Sequence, residues 1–415
     1  MNQHEVVDRV WSGHPVSFAL LIEHGHQFIA YYDSERQLTV AGRALGGENW
    51  TRVKPPGVVT GWDSHNYLRL ALDRDGRLHF SGNMHDDPLV YYRTREPFDV
   101  GTLERLNRMT GEREIHCTYP VFFKSADGNL LFRYRDGRSG SGGDIYNQYD
   151  CAACTWHRLL DTPLLDGEGK RSAYAIEPVL GPDDRFHLVW MWRDTPDCAT
   201  NHALSYACSR DFVHWEDSRG KPVPLPITFA NGQVIDVARP AQGLINMTFN
   251  LGFDAGKRPV VVYHRYDAQG HSQVYAVRPG EEARQISDWN FRWSFSGHGS
   301  IPAEVTLGPP RLAPDGVLLV DFWTKAAGAG RWRLSERIEQ LPPAPPVLPA
   351  ELMRASAGRE VQIVVARDHG HRWVLRWETL PRYRDQARDT SPPPTELCLH
   401  ELPDEETETA VRVGS

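Results

Sequence analysis

The chain has 415 residues, with 46 Lys plus Arg against 54 Asp plus Glu. Its formal net charge of -8 argues against a nucleic-acid or anionic-membrane partner, either of which would need a concentrated basic face. The 40% apolar content and 13 Trp can bury a large core, which argues against disorder, and no stretch approaches the ~20 apolar residues of a membrane span.

The opening segment, MNQHEVVDRVWSGHPVSFALLIEHGHQ, has no basic start and no uninterrupted apolar run before a small-residue cleavage site. A cytoplasmic location is therefore expected, with the periplasm or the exterior as the alternative if the sequence has been trimmed. Six cysteines (Cys117, Cys151, Cys154, Cys198, Cys208 and Cys398) in a chain of this length do not make a disulfide framework, and free thiols fit a reducing compartment.

One phrase recurs along the chain: a tight turn feeding an alternating apolar run that ends in aromatics. The copies are EHGHQFIAYYD from Glu23, DRDGRLHFSGNMH from Asp73, ADGNLLFRYRDG from Ala126, PDDRFHLVWMWRD from Pro182, AGKRPVVVYHRYD from Ala255, APDGVLLVDFW from Ala313 and DHGHRWVLRWE from Asp368. Each predicts a turn followed by a half-buried strand. A four-stranded antiparallel blade needs ~40 to 50 residues before insertions, so seven copies fill the chain as an all-β, seven-bladed β-propeller. The predicted domain spans 1–403, and an acidic tail, 404–415, is expected to fray. VGTLERLNRMTGE, from Val100, predicts a short helix in an insertion, and LPPAPPVLPAELM, from Leu341, a proline-rich connection between the last two blades. SRDFVHW, from Ser209 to Trp215, is a degenerate form of the Ser-x-Asp-x-Gly-x-x-Trp turn of sialidase-like propellers, with the glycine missing.

The densest polar and aromatic cluster is GWDSHNYLRLALDRDGRLHFSGNMHDDPLVYYRT, from Gly61 to Thr94. Asn66 and Asn83 suit sugar hydroxyls, and Trp62 and Tyr67 suit stacking on a sugar face. The turn at Asp75-Gly76, midway between His65 and His85, predicts the two histidines on neighbouring strands of one blade, facing each other at one rim. The competing reading for each is a structural histidine between strands.

The phrases GWDSHN, SGNMH, TYPVFF, LLFRYRDGRSGSG, WMWRDTPDCATNH, GLIN and SDWNFRWSFSG run in order from about Gly61 to Gly299. They resemble the BNR-repeat propeller family that includes the ulvan lyases and related lyases and hydrolases acting on rhamnose-glucuronic acid linkages. That resemblance implies paired catalytic histidines at His65 and His85, a tyrosine at Tyr119 and a carboxylate-binding arginine at Arg135. Arg193 is a second candidate for the anionic sugar, and Tyr174 a pocket wall or acid. The resemblance also implies a structural zinc, for which the matching positions are His187, Cys198, His202 and His264. For Arg135 and Arg193 an ion pair within the fold is the competing reading, and for the zinc set, unliganded loop side chains.

Lyase chemistry accounts for these residue types. Cleaving the C4–O bond of a uronate by β-elimination requires removal of the C5 proton, which is weakly acidic until the adjacent carboxylate is neutralised by an arginine. A neutral His or a Tyr can take that proton, and a Tyr or second His can protonate the leaving oxygen. The expected partner is an acidic rhamnose-containing glycan or oligosaccharide, with no organic cofactor, no nucleic acid and no membrane. A hydrolase of the same linkage, for which Asp63, Asp86, Asp87 and Asp144 are candidate carboxyls, and a non-catalytic sugar-binding propeller are the alternatives. CAAC at Cys151–Cys154 falls in a strand-turn context and reads as structural.

Overall fold

The computed structural model describes residues 3–138, 142–343, 348–349, 351–368 and 370–403. The predicted tail, part of the proline-rich connection and the centre of the DGRSGSGG loop lie outside them. The described residues form seven antiparallel sheets and no α-helix. Blade one is Ala19–Glu23, His26–Tyr32, Leu38–Ala44 and Thr51–Val53. Blade two is Leu68–Leu72, Leu78–Gly82, Tyr91–Thr94 and Leu103–Leu106. Blade three is Cys117–Lys124, Leu130–Asp136, Gly143–Asp150 and Thr155–Arg158. In blade four, Ser172–Ala175 and Val179–Leu180 pair with Phe186–Arg193, which is followed by Asn201–Ser209 and Trp215–Glu216. Blades five and six repeat the pattern from Phe249–Phe253 and from Val305–Leu307.

Blade seven joins the two ends of the chain. Its inner strands, Glu360–Asp368, His371–Thr379 and Thr395–Pro403, are completed on the outer edge by Gln3–Val10. The innermost strand of blade one packs against those of both blade two and blade seven, so the ring closes. An N-terminal strand used this way covers the edge of Thr395–Pro403 and ties Gln3–Val10 to the last blade.

The seven turns read from the repeat are the seven turns that join the first two strands of the blades. Their chemistry is local. Asp73 Oδ1 accepts the backbone N–H groups of Asp75 and Arg77 at 3.0 and 2.9 Å, and Asp254 holds Arg258 N–H in the same way. Asp33, Asp217 and Asp267 use the device in later hairpins of their blades. An Asp side chain that bonds the backbone two residues on stabilises the turn before any tertiary contact forms. In the Ser209 turn, Asp211 Oδ1 accepts N–H from Val213 and His214, and Trp215 Nε1–H donates to the Phe212 carbonyl. Phe212 stands at φ 67°, a conformation for which glycine is the ordinary choice, and its buried ring joins the seam between blades three and four.

The core lies in the seams between blades. Side chains from adjacent sheets and the segments beside them interdigitate there: Phe18, Tyr32, Trp377 and Leu375 between the terminal blades, and Trp190, Trp192, Tyr146 and Leu165 between blades three and four. Most of the dispersed tryptophans pack in these clusters. The helix expected from Val100 is absent. Asp99 caps a single 3-10 turn, Val100–Thr102, and the next residues form the outer strand Leu103–Leu106, paired with Tyr91–Thr94. A four-residue run satisfies its backbone groups by pairing with an existing sheet edge, whereas an isolated short helix is marginal.

Candidate active site

Asp63 organises one mouth of the ring. It caps the 3-10 turn Ser64–Asn66 by accepting the backbone N–H of His65 at 2.8 Å, and the same oxygen meets His65 Nδ1 at 2.6 Å. Its second oxygen meets His85 Nδ1 at 2.5 Å. An ionised carboxylate only accepts hydrogen bonds, so both Nδ1 atoms carry hydrogen, and a ring in its neutral form would present Nε2 as an acceptor. Burial alone would raise the Asp63 carboxyl, but the hydrogen bonds and charges of His65 and His85 outweigh it and hold it far below the usual range. The two imidazoles stack, with centroids 3.9 Å apart.

The strand placement differs from expectation. His65 lies in the turn before the first strand of blade two. His85 opens the short strand His85–Asp87, which pairs with the inner strand of blade three. The seam between the two blades, and not one blade, brings the histidines together.

Tyr119 completes the constellation. Its Oη lies 3.2 Å from His65 Nε2. The register of the inner strand of blade three shifts between Thr118 and Val121, and Tyr119 sits within that irregularity at φ 59°. Such a bulge re-aims a side chain, and a left-handed tyrosine is strained backbone of the kind found at functional sites. Burial pushes the Tyr119 phenol well above its ordinary range, and Tyr174 adds to this while Arg135 and Arg193 pull the other way. Tyr119 therefore rests as a protonated hydroxyl, able to donate.

Two guanidiniums flank this tyrosine. Arg135 lies 4.9 Å from the Tyr119 ring, with Nε donating to the Gly137 carbonyl and Nη2 to Thr118 Oγ1, both at 3.2 Å. Arg193 lies 4.1 Å from the Tyr174 ring, with Nε donating to Asn201 Oδ1 at 2.8 Å and Nη2 to Asn246 Oδ1 at 2.5 Å. Tyr174 meets Tyr119 edge to face at 6.1 Å. Both arginines are buried, and the partners holding them are neutral amides, carbonyls and a hydroxyl. Their charge is thus left for an anion, in contrast to Arg133, which Asp144 neutralises at 2.8 Å.

Asn66 is buried. Tyr32 Oη–H is shared between the Asn66 carbonyl and Asn83 Oδ1, so these two residues brace the turn. Trp62 stands apart, edge-on against Trp11 at 5.1 Å and near the Arg36 guanidinium.

The four residues matched to zinc are not gathered. His187 pairs with Cys208, and His202 with Trp192, five residues along the same strand, so the two lie roughly 16 Å apart at ~3.3 Å per residue. Both His187 nitrogens are engaged, by Tyr206 Oη at 2.6 Å and Asp183 at 3.0 Å. His202 Nε2 meets Asp194, Cys198 is packed in the apolar seam with Ile245 and Trp293, and His264 keeps a buried Nε2 without a partner among the described residues. The set does not fit one tetrahedral ion. Among the described residues, the group close enough to hold a metal is Asp63, His65 and His85. Its 2.5 and 2.6 Å contacts are those of charge-assisted hydrogen bonds, shorter than the ~3 Å that separates neighbouring ligands at metal–ligand distances of ~2.0 Å.

Two residues position this face in ways the sequence reading did not assign to them. Asp63 caps its turn by the Asp-x-His pattern, a local signal that the sequence does carry. Asp385 has none: its carboxylate accepts from Ser64 N–H at 3.0 Å and Ser300 N–H at 2.5 Å and meets His14 Nε2 at 3.1 Å. It thereby clips together segments far apart in the chain, directly beside His65.

No curated protein matches the chain. Solved structures do. The polysaccharide lyase Uly1 superposes with a TM-score of 0.65 at 14% identity, covering 94% of this chain and 90% of its own. A PL25 ulvan lyase bound to -[GlcA(1-4)Rha3S]- superposes with a TM-score of 0.66 at 14% identity, covering 90% and 93%. At this identity the likeness concerns the fold. A family profile, described as BNR repeat-containing family member, matches residues 26–291. That match spans well over half of the sequence, and the chain belongs to the BNR repeat-containing family.

Proposed function

We propose that the protein is a lyase that cleaves at a uronic acid, glucuronate or iduronate, next to rhamnose in an acidic glycan or oligosaccharide. The observation that carries this reading is the pair of buried arginines held by neutral partners on either side of a histidine-bonded tyrosine. Arg135 keeps Nη1 free of protein partners among the described residues and sits against the Tyr119 ring, so a uronate carboxylate bound there lies beside the proton-transfer groups. Neutralising that carboxylate stabilises the charge that develops when C5 loses its proton, and such fixed electrostatic stabilisation dominates the lowering of the barrier.

His85 takes the C5 proton through Nε2 while Asp63 steadies the imidazolium at Nδ1. The electron pair of the C5–H bond forms the C4=C5 double bond, and the C4–O bond breaks. The Tyr119 hydroxyl, held protonated by burial and linked to His65 Nε2, gives its proton to the leaving oxygen and recovers one through His65. Arg193 and Tyr174 form the wall against which the neighbouring anionic sugar rests. Asp63 is committed to two histidines, an arrangement that suits proton transfer between imidazoles better than the paired free carboxyls of a hydrolase.

The test is incubation with ulvan, gum arabic side chains and short rhamnose-glucuronate oligosaccharides, following the ultraviolet absorbance of the unsaturated uronate. A rise that disappears in His85→Ala supports the reading. Sugar binding without any rise across the panel overturns it.

A further inference from the structure

Beneath Tyr119 a cavity of about 680 Å³ runs along the inner strands of the blades, lined by Tyr67, Arg69, Tyr119, Arg133, Glu177 and Asn250 among others. Its polar groups are unequally satisfied. Arg133 is neutralised by Asp144 through two hydrogen bonds at 3.0 and 2.8 Å. Arg69 lies over the Tyr67 ring at 4.4 Å, and its one hydrogen bond among the described residues is a long one, 3.3 Å, to the Leu68 carbonyl. No described carboxylate stands within ion-pair distance of it. The Tyr67 hydroxyl likewise has no protein partner among the described residues. Confinement in the cavity pushes the Glu177 carboxyl above its usual range, against the pull of Arg69 and Arg133. Polar groups so enclosed ordinarily find a partner, and the Arg69 guanidinium offers N–H donors, with the adjacent phenol O–H able to donate as well, to what enters.

We infer that Arg69 and Tyr67 form an oxyanion subsite inside the axial cavity, which receives a sulfate ester of the rhamnose next to the uronate held at Arg135, or the carboxylate of the uronate beyond it. Assigning the anion to a saccharide rests on the lyase reading; the anion site itself does not. Tyr119 lines the cavity and also bonds His65, so a ligand held at Arg69 abuts the proton-transfer groups. A planar guanidinium meets an oxyanion with two parallel hydrogen bonds, which lysine cannot reproduce.

Calorimetric titration of the intact protein with sodium sulfate, at ionic strength fixed with sodium chloride, tests the subsite without any turnover. Sulfate held at Arg135 is expected to be lost in Arg135→Met, while a further sulfate-binding component persists in that variant as in wild type. Arg69→Met is expected to weaken this component by roughly tenfold or more, the effect of losing a charged hydrogen-bond partner, and Arg69→Lys to fall between. Thermal melts check that each variant is folded, and Arg69→Lys carries the comparison if Arg69→Met is not. Sulfate binding that is absent, unchanged in both Arg69 variants, or abolished by Arg135→Met would overturn the assignment. Oligosaccharides of equal length with and without sulfate then separate the two sources of the anion. A KM penalty in Arg69→Met confined to the sulfated series assigns sulfate, and an equal penalty in both assigns carboxylate. Failure of the lyase reading is seen separately, as missing absorbance with sulfate binding intact.

Discussion

His65 and His85 stack with their ring planes 20° from parallel, and a single carboxylate, that of Asp63, holds the Nδ1 of both. The pair is fixed as one unit, with both Nε2 atoms turned away from the aspartate. Replacing Asp63 by Asn substitutes a group that can donate as well as accept and frees the rings to adopt the other tautomer. Turnover is expected to fall about 10²- to 10⁴-fold, the range for disabling general acid–base groups, with a smaller change in KM. Steady-state kinetics on a defined oligosaccharide, with Asp63→Glu as the conservative comparison, checks this. Equal losses in kcat for Asn and Glu, with altered melting in both, would indicate a structural role.

Tyr119→Phe removes the hydroxyl and keeps the ring that packs against Arg135 and Tyr174. The expected result is a loss of about 10²-fold or more in kcat and a melting temperature within about 3 °C of wild type. A variant that melts normally and turns over normally would remove the tyrosine from the reaction.

Neither Arg135 nor Arg193 forms an ion pair with a carboxylate among the described residues. Arg135→Met is expected to lower kcat/KM by about 10²- to 10³-fold, as for deletion of an electrostatic stabiliser. Arg193→Met is expected to act mainly on KM, because that guanidinium stands one tyrosine farther from His65. Parallel kcat and KM measurements distinguish the two, and identical profiles would contradict the division of roles.

Asp385 links acid stability to the same face. Burial would raise its carboxyl, but the bonds from His14, Ser64 and Ser300 outweigh burial and the opposing charge of Asp63, and hold it well below the usual range. A depressed folded pKa gives stability that is fully present above the unfolded value of about 3.9 and is lost as pH falls toward the folded one. The melting temperature should therefore drop on acidification below about pH 4, and less steeply in Asp385→Asn. Equal slopes for the two proteins would show that Asp385 carries none of this dependence.

The blade count was legible because it is written in local chemistry: an Asp or Gly turn and an alternating strand specify each hairpin without reference to the rest of the chain. The cluster of His65, His85, Tyr119, Arg135, Tyr174 and Arg193 was legible by resemblance, and the structure brings these six together. Their geometry was not, since His65 and His85 meet across a seam between sheets, and the period of one blade cannot express that. Asp385 acts on Ser64 from 321 residues away, with no local pattern to mark it. The zinc set failed for a related reason. The resemblance placed His187 with His202, and strand register puts them at opposite ends of one hairpin.

Elimination and hydrolysis of the same linkage leave different atoms on the product, so the product decides between them. Digestion of a rhamnose-glucuronate oligosaccharide in heavy-oxygen water, followed by mass spectrometry, should give fragments whose summed mass equals the substrate, with one unsaturated uronate end and no heavy oxygen incorporated by the cleavage. Saturated fragments that have gained one water carrying heavy oxygen would refute elimination and make the protein a hydrolase.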